Sequence, residues 1–206
     1  MSNDNFFNKM ERVDEKIFRL FNEDRNIFKK DGIKYHRNGS RLDAICIEHN
    51  GNKCHIEIKQ RLGKYGVFNS FTKYYGSIFL DTGKLDEFSR KLESGYTLGE
   101  DELFVSIFDG GNTIILHNIK KKQPISNEGA IELENRGTGK TDHELRFGYY
   151  WWTGTVYTKD EYGKYRKWSE ADKKEYMINN NIKDIHLFNL YEKDKKSGNY
   201  LLKQFN

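Results

Sequence analysis

The stretch that most constrains this chain runs from Arg41 to Lys59, RLDAICIEHNGNKCHIEIK, two short apolar-polar segments meeting at His49, Asn50 and Gly51. Two strands joined by a tight turn are the expectation, and strand side chains alternate between faces. Glu57 and Lys59, two apart, therefore share a face. Whether Asp43 joins them depends on the turn. A two-residue Asn50–Gly51 loop would set Asp43 opposite Ile58, on the wrong face. A three-residue loop, with Gly51 in the left-handed conformation such loops favour, sets Asp43 opposite Glu57, Arg41 opposite Lys59 and Cys46 opposite Cys54. The hydrophobic parity selects the second register. It gathers Leu42, Ala44, Cys46, Cys54, Ile56 and Ile58 on one face. The other face takes Arg41, Asp43, His55, Glu57 and Lys59, together with Ile45 and Ile47. Two carboxylates opposed across a ladder repel, so a divalent cation between them, with Lys59 alongside, is the expected resolution.

The 206 residues suffice for one domain with a sizeable core. Only 36% of them are hydrophobic, but 15% are Phe, Trp or Tyr, so large aromatics carry much of the packing. The balance of 35 basic and 31 acidic side chains, a net charge of +4, is a mild bias toward an anionic partner such as nucleic acid. No apolar run is long enough to span a bilayer, and the start of the chain lacks the basic and apolar regions of a signal peptide. Both cysteines lie in the hairpin with no CxxC spacing, which fits reduced thiols and a cytoplasmic setting.

Along the chain, Phe6, Phe7, Met10, Val13, Ile17, Leu20, Phe21, Ile27 and Phe28 recur at helical spacing. An amphipathic helix is expected from about Asn5 to Lys29, with Asp24 inside the apolar stripe, Asp14 at its edge and Glu15 toward solvent. A strand over Ile33–Arg37 leads into the hairpin. After Lys59 comes a polar loop bearing Arg61 and Lys64. The aromatic stretches Val67–Phe71 and Tyr74–Leu80 fit strand or helix equally. A short helix is expected after Asp81 with Leu85, Phe88 and Leu92 inward, ended by Gly95. Glu102–Phe108 and Thr113–Ile119 flank Asp109-Gly110-Gly111-Asn112 as a second hairpin. Residues 123–145, poor in apolar side chains, read as a long loop. Strand-like segments follow from Arg146 to Thr158 and from Tyr162 to Trp168, and Ser169 with Asp172 signals a helix start, the helix running to about Asn179. Ile185–Tyr191 and Tyr200–Phe205 are expected to close the chain as a third hairpin. The whole, 1–206, reads as a single domain, with its core over about 1–122 and a β-rich C-terminal elaboration over about 146–206.

Asp43, then Glu57 and Lys59 in an Asp-x13-Glu-x-Lys spacing on adjacent strands after a helix, resembles the PD-(D/E)XK nuclease superfamily. The resemblance covers roughly the first 60 residues. Leu42 stands where that family often has proline, and Asp14, Glu15, Glu23 and Asp24 all compete for the place of its N-terminal helical acid. The resemblance implies an α/β (α+β) restriction-endonuclease-like fold, a mixed sheet flanked by helices. It also implies a Mg²⁺- or Mn²⁺-dependent nuclease, acting on DNA. Phosphodiester hydrolysis needs an activated water and a counter-charge for the pentavalent phosphorus. A hard cation on carboxylate oxygens supplies both. Asp43 and Glu57 would be its ligands, the Ile58 carbonyl a third, and Lys59 would stabilise the phosphate charge or orient the water. Arg41, Arg61 and Lys64 are the expected phosphate contacts, and a homodimer would offer a second site for a second strand. The competing readings are a non-catalytic nucleic-acid- or protein-binding module on the same fold, and an RNA-cleaving toxin or defence protein. The plain structural alternative is an exposed face on which Arg41, Asp43, Glu57 and Lys59 form a cross-strand charge lattice worth about 0.2–1 kcal/mol per pair.

Gly137-Thr-Gly-Lys-Thr141 looks like the end of a phosphate-binding loop, but Glu134 stands where that pattern needs glycine and neither flank fits. The run from Arg146 to Trp168 interleaves Tyr149, Tyr150, Trp151, Trp152 and Tyr157 with Lys159, Lys164, Arg166 and Lys167, a mixture suited either to stacking bases or to packing a second layer. His36, His55 and His143 are scattered, and no Ser-His-Asp or Cys-His arrangement can be assembled.

Overall fold

In a computed structural model of the chain, β1 (Gly32–Tyr35), β2 (Ala44–Ile47) and β3 (Lys53–Gln60) form an antiparallel meander. Ala44 pairs with Ile56 and Cys46 with Cys54, the register that the hydrophobic parity requires. The structure describes the backbone of residues 32–35, 44–47, 53–81, 103–118, 130–133, 144–193 and 200–202, and side chains over 56–78, 103–118 and 149–191. The helices expected over 5–29 and after Asp81, and the loop 137–141, lie outside the described residues.

After β3 the chain enters α1 (Phe68–Tyr74) and β4 (Ser77–Asp81), then returns as β5 (Leu103–Phe108), parallel to β3. A parallel neighbour demands such a crossover, whereas β6 (Thr113–Asn118) follows β5 through the tight Asp109–Gly111 turn. Next come β7 (Ala130–Leu133), β8 (Glu144–Tyr150), β9 (Thr155–Lys159) and β10 (Tyr165–Lys167). The chain ends with α2 (Glu170–Asn179), α3 (Ile185–Leu190), β11 (Tyr191–Lys193) and β12 (Tyr200–Leu202). One mixed sheet has the order β1-β2-β3-β5-β6-β9-β10, a second is β4-β8-β7, and β11 pairs with β12. The protein is thus mixed α/β, with an open mixed sheet and few helices among the described residues. None of the described helices is long and apolar enough to cross a membrane.

All six residues of β5 are buried, as are the first five of β6, so these central strands are covered on both faces. That accounts for their near-continuous apolar sequences. On the face bearing Phe104, Phe108, Ile115 and Val156, the core is completed by Phe68 and Phe71 of α1, Trp151 and Trp152 of a 3-10 turn, and Met177 of α2. Phe68 is its hub. Its ring lies 5.5 Å from Phe108, 5.3 Å edge-on to Trp151 and 5.3 Å stacked on Tyr176. The first turn of α1 is held from afar, since the Phe68 N–H donates to Asp109 Oδ1 at 3.0 Å.

Several sequence expectations are corrected. Residues 123–145 are not all loop, because β7 and the start of β8 fall within them. Ile185–Leu190 is a helix rather than a strand. The six residues allow both periods, but the 185/188 spacing brings Phe188 against Trp152, edge-on at 5.4 Å, and the core rewards that choice. The strand expected from Tyr162 begins only at Tyr165, because Asp160 Oδ1 accepts the Tyr162 and Lys164 N–H groups and holds a turn. The strand expected at Ile33–Arg37 runs from Gly32 to Tyr35.

Candidate functional site

Glu57 and Lys59 lie on one face of β3, as their spacing requires. Glu57 is 1% exposed, and its Oε1 stands 3.8 Å from Lys59 Nζ. The neighbouring strands extend this face in rows. Glu57 pairs with Phe104, which pairs with His117, while Lys59 pairs with Ser106, which pairs with Ile115. Glu57 is therefore a carboxylate set at the margin of the aromatic core. An exposed charge lattice does not describe it. Burying a carboxylate is costly unless it is paired or bound, and the Lys59 ammonium is one partner that offsets that cost.

Burial falls steadily along β3, from Glu57 and Ile58 through the half-buried Lys59, Gln60 and Arg61 to the exposed Leu62 and Lys64. The Arg61 N–H donates to the Ile107 carbonyl at 2.9 Å, so the backbone groups of residues 57, 59 and 61 face β5. By the same alternation the Ile58 N–H and C=O face the β2 side. Glu57 thus has buried hard oxygens, and the Ile58 carbonyl faces the side of β3 on which β2 lies, Asp43 being the residue before Ala44 in sequence. That donor set suits a hard divalent cation. Asp43 and Arg41 lie outside the described residues, as do Asp14, Glu15, Glu23 and Asp24. Among the described residues no three His, Cys, Asp or Glu side chains group together. Arg61 shares the parity of Glu57 and Lys59, whereas Lys64 sits beyond the strand in a 3-10 turn, its ammonium 5.3 Å from the Tyr65 ring centroid.

Of four further residues of this region, only Tyr149 carried a signal in the sequence, as part of the aromatic run from Arg146. Ser106, fully buried and paired with Lys59, has a hydroxyl with no hydrogen-bond partner among the described residues. His117 is buried between the Glu57 row and Gly154, and its Nε2 lies 3.2 Å from the Tyr150 carbonyl. A carbonyl only accepts, so Nε2 carries the proton. Tyr149 packs 5.3 Å from the His117 ring, and burial pushes its phenol far above the usual range. Lys173, 1% exposed on α2, donates to the Trp152 and Gly154 carbonyls at 2.8 and 2.9 Å. Only the long-range pairing of β3 with β5 could have revealed Ser106 and His117. Trp151 and Trp152, weighed as base-stacking residues, are instead buried core, whereas Lys164, Arg166 and Lys167 are exposed.

The chain matches no protein-family model, no curated protein and no solved structure.

Proposed function

We propose that this chain is a divalent-metal-dependent phosphodiesterase acting on nucleic acid, with DNA as the favoured substrate. The observation that carries the proposal is the buried Glu57 carboxylate, 3.8 Å from Lys59 on a strand whose register with β2 is the one that would set Asp43 opposite Glu57. The mixed sheet, an antiparallel meander followed by a parallel neighbour, supports the restriction-endonuclease-like reading.

A bound Mg²⁺ or Mn²⁺ would supply Lewis acidity and a water of lowered pKa. Glu57, Asp43 and the Ile58 carbonyl would hold it. Lys59, partly exposed where Glu57 is not, presents its ammonium to a phosphate arriving from solvent and stabilises the charge that develops there. Arg61, next on the same face, and Arg41 and Lys64 would position the backbone of the polymer. A homodimer and a cytoplasmic setting belong to the same proposal.

The test is a cleavage panel of duplex, branched and single-stranded DNA and RNA, with Mg²⁺, with Mn²⁺ and with chelator. Metal-dependent cleavage is expected, with Glu57→Ala and Lys59→Ala each losing at least about 100-fold in rate, the scale of one electrostatic stabiliser. Full activity in either variant would sink the assignment. Binding without cleavage on every polymer would favour the non-catalytic module.

A further inference from the structure

The polar loop after β3 and the helix it feeds form a surface of a different kind from the rest of the chain. Tyr65 and Tyr75 are 46% and 43% exposed, yet their ring centroids are only 4.7 Å apart, inclined at 47°. A side-chain hydrogen bond ties the two phenols and pushes that of Tyr75 upward. Tyr74, at the end of α1, is 77% exposed, and Leu62 and Val67 are about half exposed beside the loop. So much exposed aromatic surface in one short stretch is out of keeping with packing alone.

The charge carried by this stretch itself has a single sign. From Ile58 to Leu80 the chain carries Lys59, Arg61, Lys64 and Lys73 and no acid. Two carboxylates from other elements approach this stretch: that of Asp184 lies against Gly76, next to Tyr75, whereas both oxygens of Asp109 are engaged inward. Oδ1 accepts from the Phe68 N–H at 3.0 Å and Oδ2 from the Thr113 hydroxyl at 2.9 Å. The loop is also fixed in place, since the Asp109 N–H donates to the Gly66 carbonyl at 2.7 Å. It therefore stands at the carboxyl ends of the parallel pair β3 and β5, where open α/β sheets receive ligands.

Resting on the nucleic-acid reading of the Glu57–Lys59 site, we infer that Tyr65, Tyr74 and Tyr75 form a stacking platform for unpaired bases, with Lys64 and Lys73 contacting the flanking phosphates. The substrate class that follows is nucleic acid with single-stranded character at the site. Every base has a π-face, so such a platform is tolerant of sequence, and the cation held over Tyr65 lies where the backbone of a stacked nucleotide would pass. A fully paired duplex keeps its bases stacked on each other and would offer these rings nothing.

The experiment is fluorescence anisotropy of labelled oligothymidylate, and of a duplex of the same length, with the full chain in chelator so that cleavage plays no part. Wild type should bind the single strand more tightly than the duplex. Tyr65→Ala, Tyr74→Ala and Tyr75→Ala should each weaken that binding about 5- to 150-fold, the range for loss of one stacked base. Tyr65→Phe, which keeps the ring, should bind as wild type. Tyr74 is so exposed that its truncation leaves folding intact, which keeps the test decisive if the Tyr65 variant misfolds. Unchanged affinity in the alanine variants, a preference for the duplex, or no binding of oligothymidylate by wild type would each overturn the platform. Cleavage failing in the metal panel while these binding losses appear would reject the catalytic proposal and leave the platform standing.

Discussion

Replacing Lys173 with Met tests how the C-terminal helices are fastened to the sheet. Lys173 is 1% exposed, and its ammonium donates to the Trp152 carbonyl at 2.8 Å, the Gly154 carbonyl at 2.9 Å and Glu170 Oε1 at 3.0 Å. Met keeps most of the aliphatic stem and removes the charge. Two hydrogen bonds from a charged donor to buried carbonyls are lost, roughly 1.5–3 kcal/mol each. The desolvation cost of the ammonium is recovered in the same step and offsets part of that loss. Glu170 is a third exposed and regains water, so it adds little. The net expectation is destabilisation by about 2–4 kcal/mol. With a urea dependence of about 1–3 kcal/mol/M, the unfolding midpoint should fall by roughly 1–2 M, followed by tryptophan emission from Trp151 and Trp152. Glu170→Gln, which keeps an acceptor at the exposed end, should cost under about 1 kcal/mol. An unshifted midpoint for Lys173→Met, or an equal loss for Glu170→Gln, would refute the claim that the two carbonyls are what the lysine serves.

Two further outcomes follow from local geometry. A Cβ on Gly154 would lie 2.5 Å from Ile115 Cγ2 and 2.9 Å from two atoms of the His117 ring, so Gly154→Ala should destabilise by about 1–3 kcal/mol in thermal or urea unfolding. A wild-type midpoint there would mean that β9 sits farther from β6 than described. Asp172 is held at about 2, first by its hydrogen bonds with the Ser169 side chain and backbone and then by Arg166. A carboxyl depressed in the folded state stabilises it above the unfolded value near 3.9, and that contribution is lost as pH falls through about 2. Ser169→Ala should therefore move the Asp172 carboxyl titration, followed by NMR, upward toward the ordinary range, and an unmoved titration would reject the capping box as its cause.

The hairpin register was legible because it depends on a period of two and on one hydrophobic parity, both local properties. The Asp109–Gly111 turn between β5 and β6 was legible for the same reason, its DGGN punctuation lying between two apolar runs. So was the start of α2, where Ser169 and Asp172 form the reciprocal capping box their spacing announces. What the sequence hid was non-local. Nothing near Glu57 says that its face will be covered, because the cover arrives with Phe104 on a strand that pairs in parallel after a long crossover. The helical choice at Ile185–Leu190 was hidden likewise, since it is decided by Trp152 rather than by propensity. β7 lay unseen because Ala130 to Leu133 is only a four-residue run within a stretch otherwise poor in apolar side chains, and its partner β8 comes later in the chain.

The covered face also fixes the direction from which a polyanion can reach Glu57. Strands β5 and β6 close the carboxylate from the side with Phe104 and His117, both fully buried. Along β3, by contrast, exposure opens toward the C-terminal end, and the residues of Glu57 parity met on the way are Lys59 and then Arg61. On the proposed reading, an incoming phosphate meets the Lys59 ammonium before the Glu57 carboxylate, whereas Arg61 keeps its Nε and Nη2 buried. Reversed, that order would place an acid between solvent and the ammonium and repel such a phosphate before contact. It follows that charge removal at the exposed Lys64 or at Lys59 should act differently on encounter and on chemistry. A Lys64 variant should lose association rate and salt dependence, whereas only a Lys59 variant, within reach of Glu57, should lose turnover on substrate already bound.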